Sequence, residues 1–152
     1  MNGVSPTNRF PKSDMAIPVV LVAARIAAYF LIPEPYGYFR DELYYLACAD
    51  HLDWGYVDHP PFSIFVLAII RFILGDSLVA LRLIPLVAIC GTALLTARLA
   101  RELGGGLYAA ALASLATLLT PVYLAHSSFY SMNALEVFFY ALAFLGSPAL
   151  GE

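Results

Sequence analysis

Charge is what this chain has least of. Charged residues make up 12% of its 152 positions, where a soluble domain carries about 25%. Lys12 is its single lysine, and 8 basic residues against 11 acidic ones leave a net charge of −3. Arg and Lys cluster nowhere, so there is no basic stripe of the kind that holds nucleic acid or another polyanion, and that class of partner is excluded. Its two cysteines, Cys48 and Cys90, stand in separate apolar contexts with no CxxC or Cys/His spacing. They read as small buried hydrophobes rather than as a disulfide or a zinc site. The chain carries no internal repeat and no low-complexity tract.

What fills the sequence instead is apolar. Hydrophobic residues account for 61% of it, which reads as an integral membrane protein of all-α class, a polytopic bundle of transmembrane helices at about 20 residues per crossing. A polar leader, 1–14, precedes the first span at about 15–33. No small-x-small cleavage site follows that span, so it reads as an uncleaved signal anchor. Arg9 and Lys12 place the leader in the cytoplasm and residues 34–77 outside. Further spans fall at about 78–99, 107–124 and 134–146. The run 60–74 is about fifteen residues long and contains Arg71. If it crossed, Arg98 and Arg101 would lie outside, against the charge rule. Laid along the outer interface instead, it leaves Arg98, Arg101 and the glycine turn 104–106 cytoplasmic. It also brings the segment 126–136 to the same side as the acidic loop. The tail 147–152 follows before a full span has accumulated after residue 134, which suggests the N-terminal part of a longer protein in the plasma (inner) membrane.

The outer loop concentrates the chemistry. Asp41, Glu42, Asp50, Asp53 and Asp58, with His51 and His59, are crowded between two apolar runs. Residues 40–52 read as a short helix with Asp41 and Glu42 at its start, where carboxylates suit the positive end of the helix dipole. Adjacent side chains on a helix diverge by about 100°. One of the two acids should therefore face a cavity while the other binds a basic partner or backbone groups, although Asp41 would serve equally well as a helix cap. Asp58 and His59, just ahead of Pro60 and Pro61, are held on a stiff backbone and suit a substrate clamp or a pair of ligands to a divalent metal. Tyr44, Tyr45, Trp54 and Tyr56 suit headgroup depth. Asn133 and Glu136 share one face of the last helix, and an acid entering an apolar span should face the bundle interior. Arg25, inside the first span, should face a polar groove or snorkel. Arg71 and Arg82 fall on the outer side, where anionic headgroups or a ligand phosphate could reach them.

An apolar first span followed by YFRDELYYLACADHLDWGYVDHPP, an apolar helix ending in FILGD, and a span closing on ARLARE together resemble the GT-C integral-membrane glycosyltransferases. The likeness is to the branch of the protein O-mannosyltransferases and lipid A aminoarabinose transferases, and it covers about residues 15–144. It implies transfer of a sugar, with inversion, from a polyprenyl-phosphate carrier to an acceptor on the outer face. On that resemblance the catalytic base maps to Asp41, with Glu42 beside it. The second acidic position of the loop, tied to metal or donor binding in some relatives, maps to Asp58. The acid of a later helix maps to Glu136, where many relatives have Asp. His59, Asn133 and Tyr45 complete the expected substrate-binding set. The relatives' further spans are not in this sequence, so the chain is expected to be inactive alone and to work with the remaining part of a longer or split transferase. A non-catalytic membrane subunit, or a small ion-coupled transport protein using the same acids, fits the composition too. The outer-loop position of those acids disfavours transport, which needs charge near mid-bilayer.

Overall fold

The computed structural model describes residues 15–32 and 36–147, and over them the chain is helical, with no strand. The leader 1–14 and positions 148–152 of the tail lie outside the described residues. Seven helices follow in order: α1 (Ala16–Leu31), α2 (Arg40–Asp50), α3 (Pro61–Leu74), α4 (Leu78–Glu102), α5 (Leu107–Leu119), α6 (Pro121–His126) and α7 (Met132–Leu145). Among them, α4 alone is long and apolar enough to cross a membrane. The helices α1, α3, α5 and α7 have 16, 14, 13 and 14 residues, short of the usual ~20.

Helix α4 is the axis of the fold, packing against α1, α3, α5, α6 and α7. Its ends are set locally. Ser77 caps the start, its Oγ accepting the Ala80 N–H at 3.1 Å, as a serine at that position does. At the other end Gly104, at φ +89°, lets the chain reverse. Its N–H donates to Arg101 O and that of Gly105 to Ala100 O, the paired bonds of a Schellman closure. This is the physical content of the glycine turn, and it returns α5 against α4.

The expected span 107–124 is two helices, not one. Thr120 has φ −61° and ψ 126° and ends α5 and begins α6. Pro121 forces this, since a residue before proline is pushed out of the helical region. Helix α7 also begins at Met132, two residues ahead of expectation.

Between α4 and α5 the packing is by small residues. Ala93 and Ala97 of α4 and Ala110 and Ser114 of α5 are buried, and Thr96 and Thr117 share a hydrogen bond at 3.0 Å. Small side chains let helix backbones approach closely. The large side chains Phe30, Phe65, Phe72, Leu112, Leu119, Tyr140 and Phe144 are exposed. Cys48 and Cys90 are free and buried, packed as apolar side chains in two separate clusters.

Helices α4 and α7 come together at Gly91. A Cβ there would stand 2.6 Å from the Phe138 ring, so a larger residue has to displace that ring. Gly91→Val should therefore destabilise the protein by about 1–3 kcal/mol, the usual cost of overpacking. Denaturant titration of helicity in detergent measures this, and an unchanged midpoint would show that α7 does not pack there.

Candidate functional site

The sequence of α2, RDELYYLACAD, divides into two faces. Glu42, Tyr45 and Cys48 recur at spacing three and are buried, whereas Arg40, Leu43, Tyr44 and Asp50 are exposed. This divides the two adjacent acids. Glu42 is fully enclosed, and the Arg82 guanidinium donates to it from Nε at 3.0 Å and Nη2 at 2.9 Å. Its carboxylate also accepts the Phe39 N–H at 2.8 Å and the Tyr130 N–H at 2.9 Å. One side chain thus closes the start of α2 and joins it to α4 and to the turn before α7. Asp41 points elsewhere. Its side chain is 46% exposed and meets Arg40 at 3.2 Å, in a pair whose arginine is almost wholly in solvent and which contributes little.

The divergence expected of the two acids is therefore present, with Asp41 on the open side and Glu42 holding the basic partner and the backbone. Two expectations need correcting. Glu42, expected beside the base, has no opening toward a reacting atom, because all its oxygens are occupied inside the protein. Arg82, expected within reach of headgroups or a phosphate, is 4% exposed and committed to Glu42.

Arg71 is engaged as well. It donates from Nε to Asp76 and from Nη1 to Asp50 at 2.7 Å and Leu46 O at 3.3 Å. The end of α2 is thereby tied to the end of α3. Hydrogen bonding to Arg71 holds the exposed Asp76 carboxyl below its ordinary range.

An aromatic cluster follows Asp41 along α2. Tyr45, one helical turn on, is buried, and its hydroxyl accepts the Met132 N–H at 3.0 Å. His59 stacks on the Tyr45 ring at 4.1 Å and 22°, with Tyr44 at 5.1 Å on the same imidazole. Tyr130 meets Tyr45 edge-on at 5.1 Å, and its hydroxyl donates to Ser63 O on α3. Both ring nitrogens of His59 are buried without a partner, while Asp58 beside it is exposed. Tyr56 orders the loop before them: its hydroxyl accepts the Asp53 N–H at 2.8 Å and reaches Cys48 O and His51 O. Next to the cluster, Leu52, Asp53, Trp54, Pro61, Phe62 and Phe65 line an open, largely apolar cleft of about 540 Å³.

The outer-loop residues and the segment before α7 therefore do converge, through Glu42–Tyr130 and Tyr45–Met132. No protein-family model, curated protein or solved structure matches the chain. Asn133, next to the Tyr45–Met132 bond, is half-buried at the margin of the cluster. Glu136 is exposed, contrary to the expectation that it faces the interior. Helix α7 buries Ala134 and packs Phe138 against α4, and Glu136 lies about 200° round the helix from each.

For a metal, the fit is incomplete. Among the described residues no three His, Cys, Asp or Glu side chains are placed to share an ion, and Asp58 with His59 supplies two ligands at most, leaving the rest of a divalent cation's shell to water or substrate. The sequence does not single out Tyr130 or Ser63, and it offers Arg82 to headgroups or a ligand phosphate rather than to Glu42. For Arg82 the signal was present, because an arginine near the start of an apolar helix needs a carboxylate.

Two predictions follow from these contacts. Arg82→Met leaves a buried carboxylate uncompensated and should cost about 3–5 kcal/mol. Adding Glu42→Gln, which removes the stranded charge and keeps an acceptor for one of the two backbone N–H groups of Phe39 and Tyr130, should recover part of this, as denaturant titration of the two variants would measure. Burial chiefly, with Asp41 adding, raises the Tyr45 phenol above its ordinary 10.0, partly opposed by the Met132 N–H; burial raises Tyr130 too. A raised folded-state pKa means stability that is complete below about pH 10 and is lost as pH rises through the folded value. Helicity in detergent should hold to that point and then fall, with Tyr45→Phe softening the alkaline loss.

Proposed function

We propose that this chain belongs to a polytopic membrane glycosyltransferase of GT-C type, working at the extracytoplasmic face. The observation that carries the proposal is the division of labour between the adjacent acids. Glu42 is consumed in a buried pair that fixes α2, and Asp41 is left half-exposed one helical turn before the ring stack of Tyr45 and His59. A carboxylate so held, with no buried partner, is suited to take a proton.

The reaction is a displacement at the anomeric carbon. An acceptor hydroxyl or amine gives its proton to Asp41 as its oxygen or nitrogen bonds to that carbon. The bond from the carbon to the phosphate oxygen breaks on the opposite side, and its electron pair leaves with the polyprenyl phosphate, giving inversion. The exposed Tyr44 and the half-buried His59 offer ring surface for a sugar, and Asp58 and Asn133 offer polar contacts nearby. An acyl-chain donor is served by the apolar cleft between Trp54 and Phe62. The membrane setting is supported by the small residues buried between α4 and α5 and by the large apolar side chains on the outside of the bundle. In that setting the short helices α1, α5 and α7 cross by thinning the bilayer or with their flanking residues, and α3 lies along the outer interface.

Glu136 favours a complementary reading, a place in a larger membrane assembly. An exposed carboxylate on an apolar helix is expensive against lipid and would be satisfied by a cation from another helix. On this reading the chain contributes the outer-loop site while other helices complete the acceptor side.

Asp41→Asn tests the proposal. In membranes expressing the chain in its native genetic context, transfer of labelled sugar from a polyprenyl-phosphate donor should fall by at least about 100-fold, the typical contribution of a positioned base, with helicity unchanged. Turnover at the wild-type rate would remove Asp41 from that role.

A further inference from the structure

Four arginines, Arg40, Arg71, Arg82 and Arg98, each meet a carboxylate within 4 Å. Arg25 does not. It lies inside α1, whose sequence AIPVVLVAARIAAYFL holds no acid, and it is half-buried. Among the described residues its polar contact is with the Ser127 hydroxyl, Nη2 to Oγ at 2.8 Å. Ser127 is itself 1% exposed, and its O–H donates to Leu124 O at 2.9 Å. The lone pairs on Oγ therefore serve Arg25, and the serine is built in as a positioning partner. Beside it in the chain, the Nδ1 atom of His126 is buried with no partner.

A neutral hydroxyl orients a guanidinium but does not neutralise it. A cation held within an apolar bundle is costly unless an anion accompanies it. Guanidinium carries five N–H donors, and the bond to Ser127 uses one. The remaining donors form the planar fork that fits an oxyanion in bidentate fashion. Partial exposure leaves the group reachable from outside the bundle.

We infer that Arg25, positioned by Ser127, is a binding site for a phosphate-class oxyanion between α1 and the turn joining α6 to α7. The site is separate from the aromatic cluster after Asp41 and does not depend on the transferase reading. Two sources carry that chemistry, the headgroup of an anionic phospholipid and free phosphate, and they are separable by experiment.

The full chain, purified in a neutral detergent, is titrated with phosphatidylglycerol, with phosphatidylcholine and with inorganic phosphate, and binding is followed by native mass spectrometry and by the thermal midpoint. For a lipid source, phosphatidylglycerol is retained in preference to phosphatidylcholine. For a soluble source, inorganic phosphate raises the midpoint without lipid. Either response should weaken about 10- to 100-fold in Arg25→Gln, the loss of charge-assisted hydrogen bonds, and be partly restored in Arg25→Lys. Arg98→Gln, which alters an exposed surface pair, should leave it unchanged. A wild-type chain that shows neither lipid preference nor phosphate response overturns the inference whether or not the variants fold. So does a response equally strong in Arg25→Gln.

Discussion

The ion pair between Glu42 and Arg82 is the constraint on which the arrangement rests. A carboxylate with no exposed surface and a guanidinium almost without any cannot be left unmatched, because the desolvation of each is large. Here the pair is completed by two backbone N–H groups, from Phe39 and Tyr130. Four points of the chain, at 39, 42, 82 and 130, are brought to one place. The segment carrying α2 is thereby docked on α4 instead of lying free over it. Arg71, at the other end of α2, adds a second and more exposed tie through Asp50 and Asp76. Between the two ties, the face bearing Tyr45 is held against α3 and the turn before α7.

That docking gives neighbouring acids opposite properties. One helical residue, about 100° of rotation, separates a carboxylate saturated with donors from one that remains open. The packing around Tyr45 belongs to the same docking, since its hydroxyl is engaged by Met132 and its ring by His59 and Tyr130. Asp41 is thus an open acid on a helix fixed at both ends.

Much of this was legible in the sequence because it depends on local periodicity. The helix at 40–50 followed from its apolar spacing and early acids, the turn at 104–106 from its glycines, and the divergence of Asp41 and Glu42 from helical geometry. The meeting of the loop with residues 126–133 agrees with the expectation that the two polar segments share a side. Residues whose roles depend on distant partners are less legible. Arg82 reads as a contact for headgroups or a ligand phosphate, because the pattern along one helix does not name its partner 40 residues away. Glu136 reads as inward on the cost of an exposed acid, but α7 buries Ala134 and packs Phe138 against α4, which leaves Glu136 on the other side. The break at Thr120 was written in Pro121, yet the apolar run across it read as continuous.

The central claim is that the docked loop stands at the outer face with Asp41 open to it, and cysteine accessibility tests that most directly. With Cys48 and Cys90 replaced by alanine, Asp41→Cys and Glu102→Cys are each treated with a membrane-impermeant maleimide added to intact cells. The account predicts ready labelling at 41, and labelling at 102 only after the membrane is opened. Labelling of 102 from outside, or protection of 41, would contradict it.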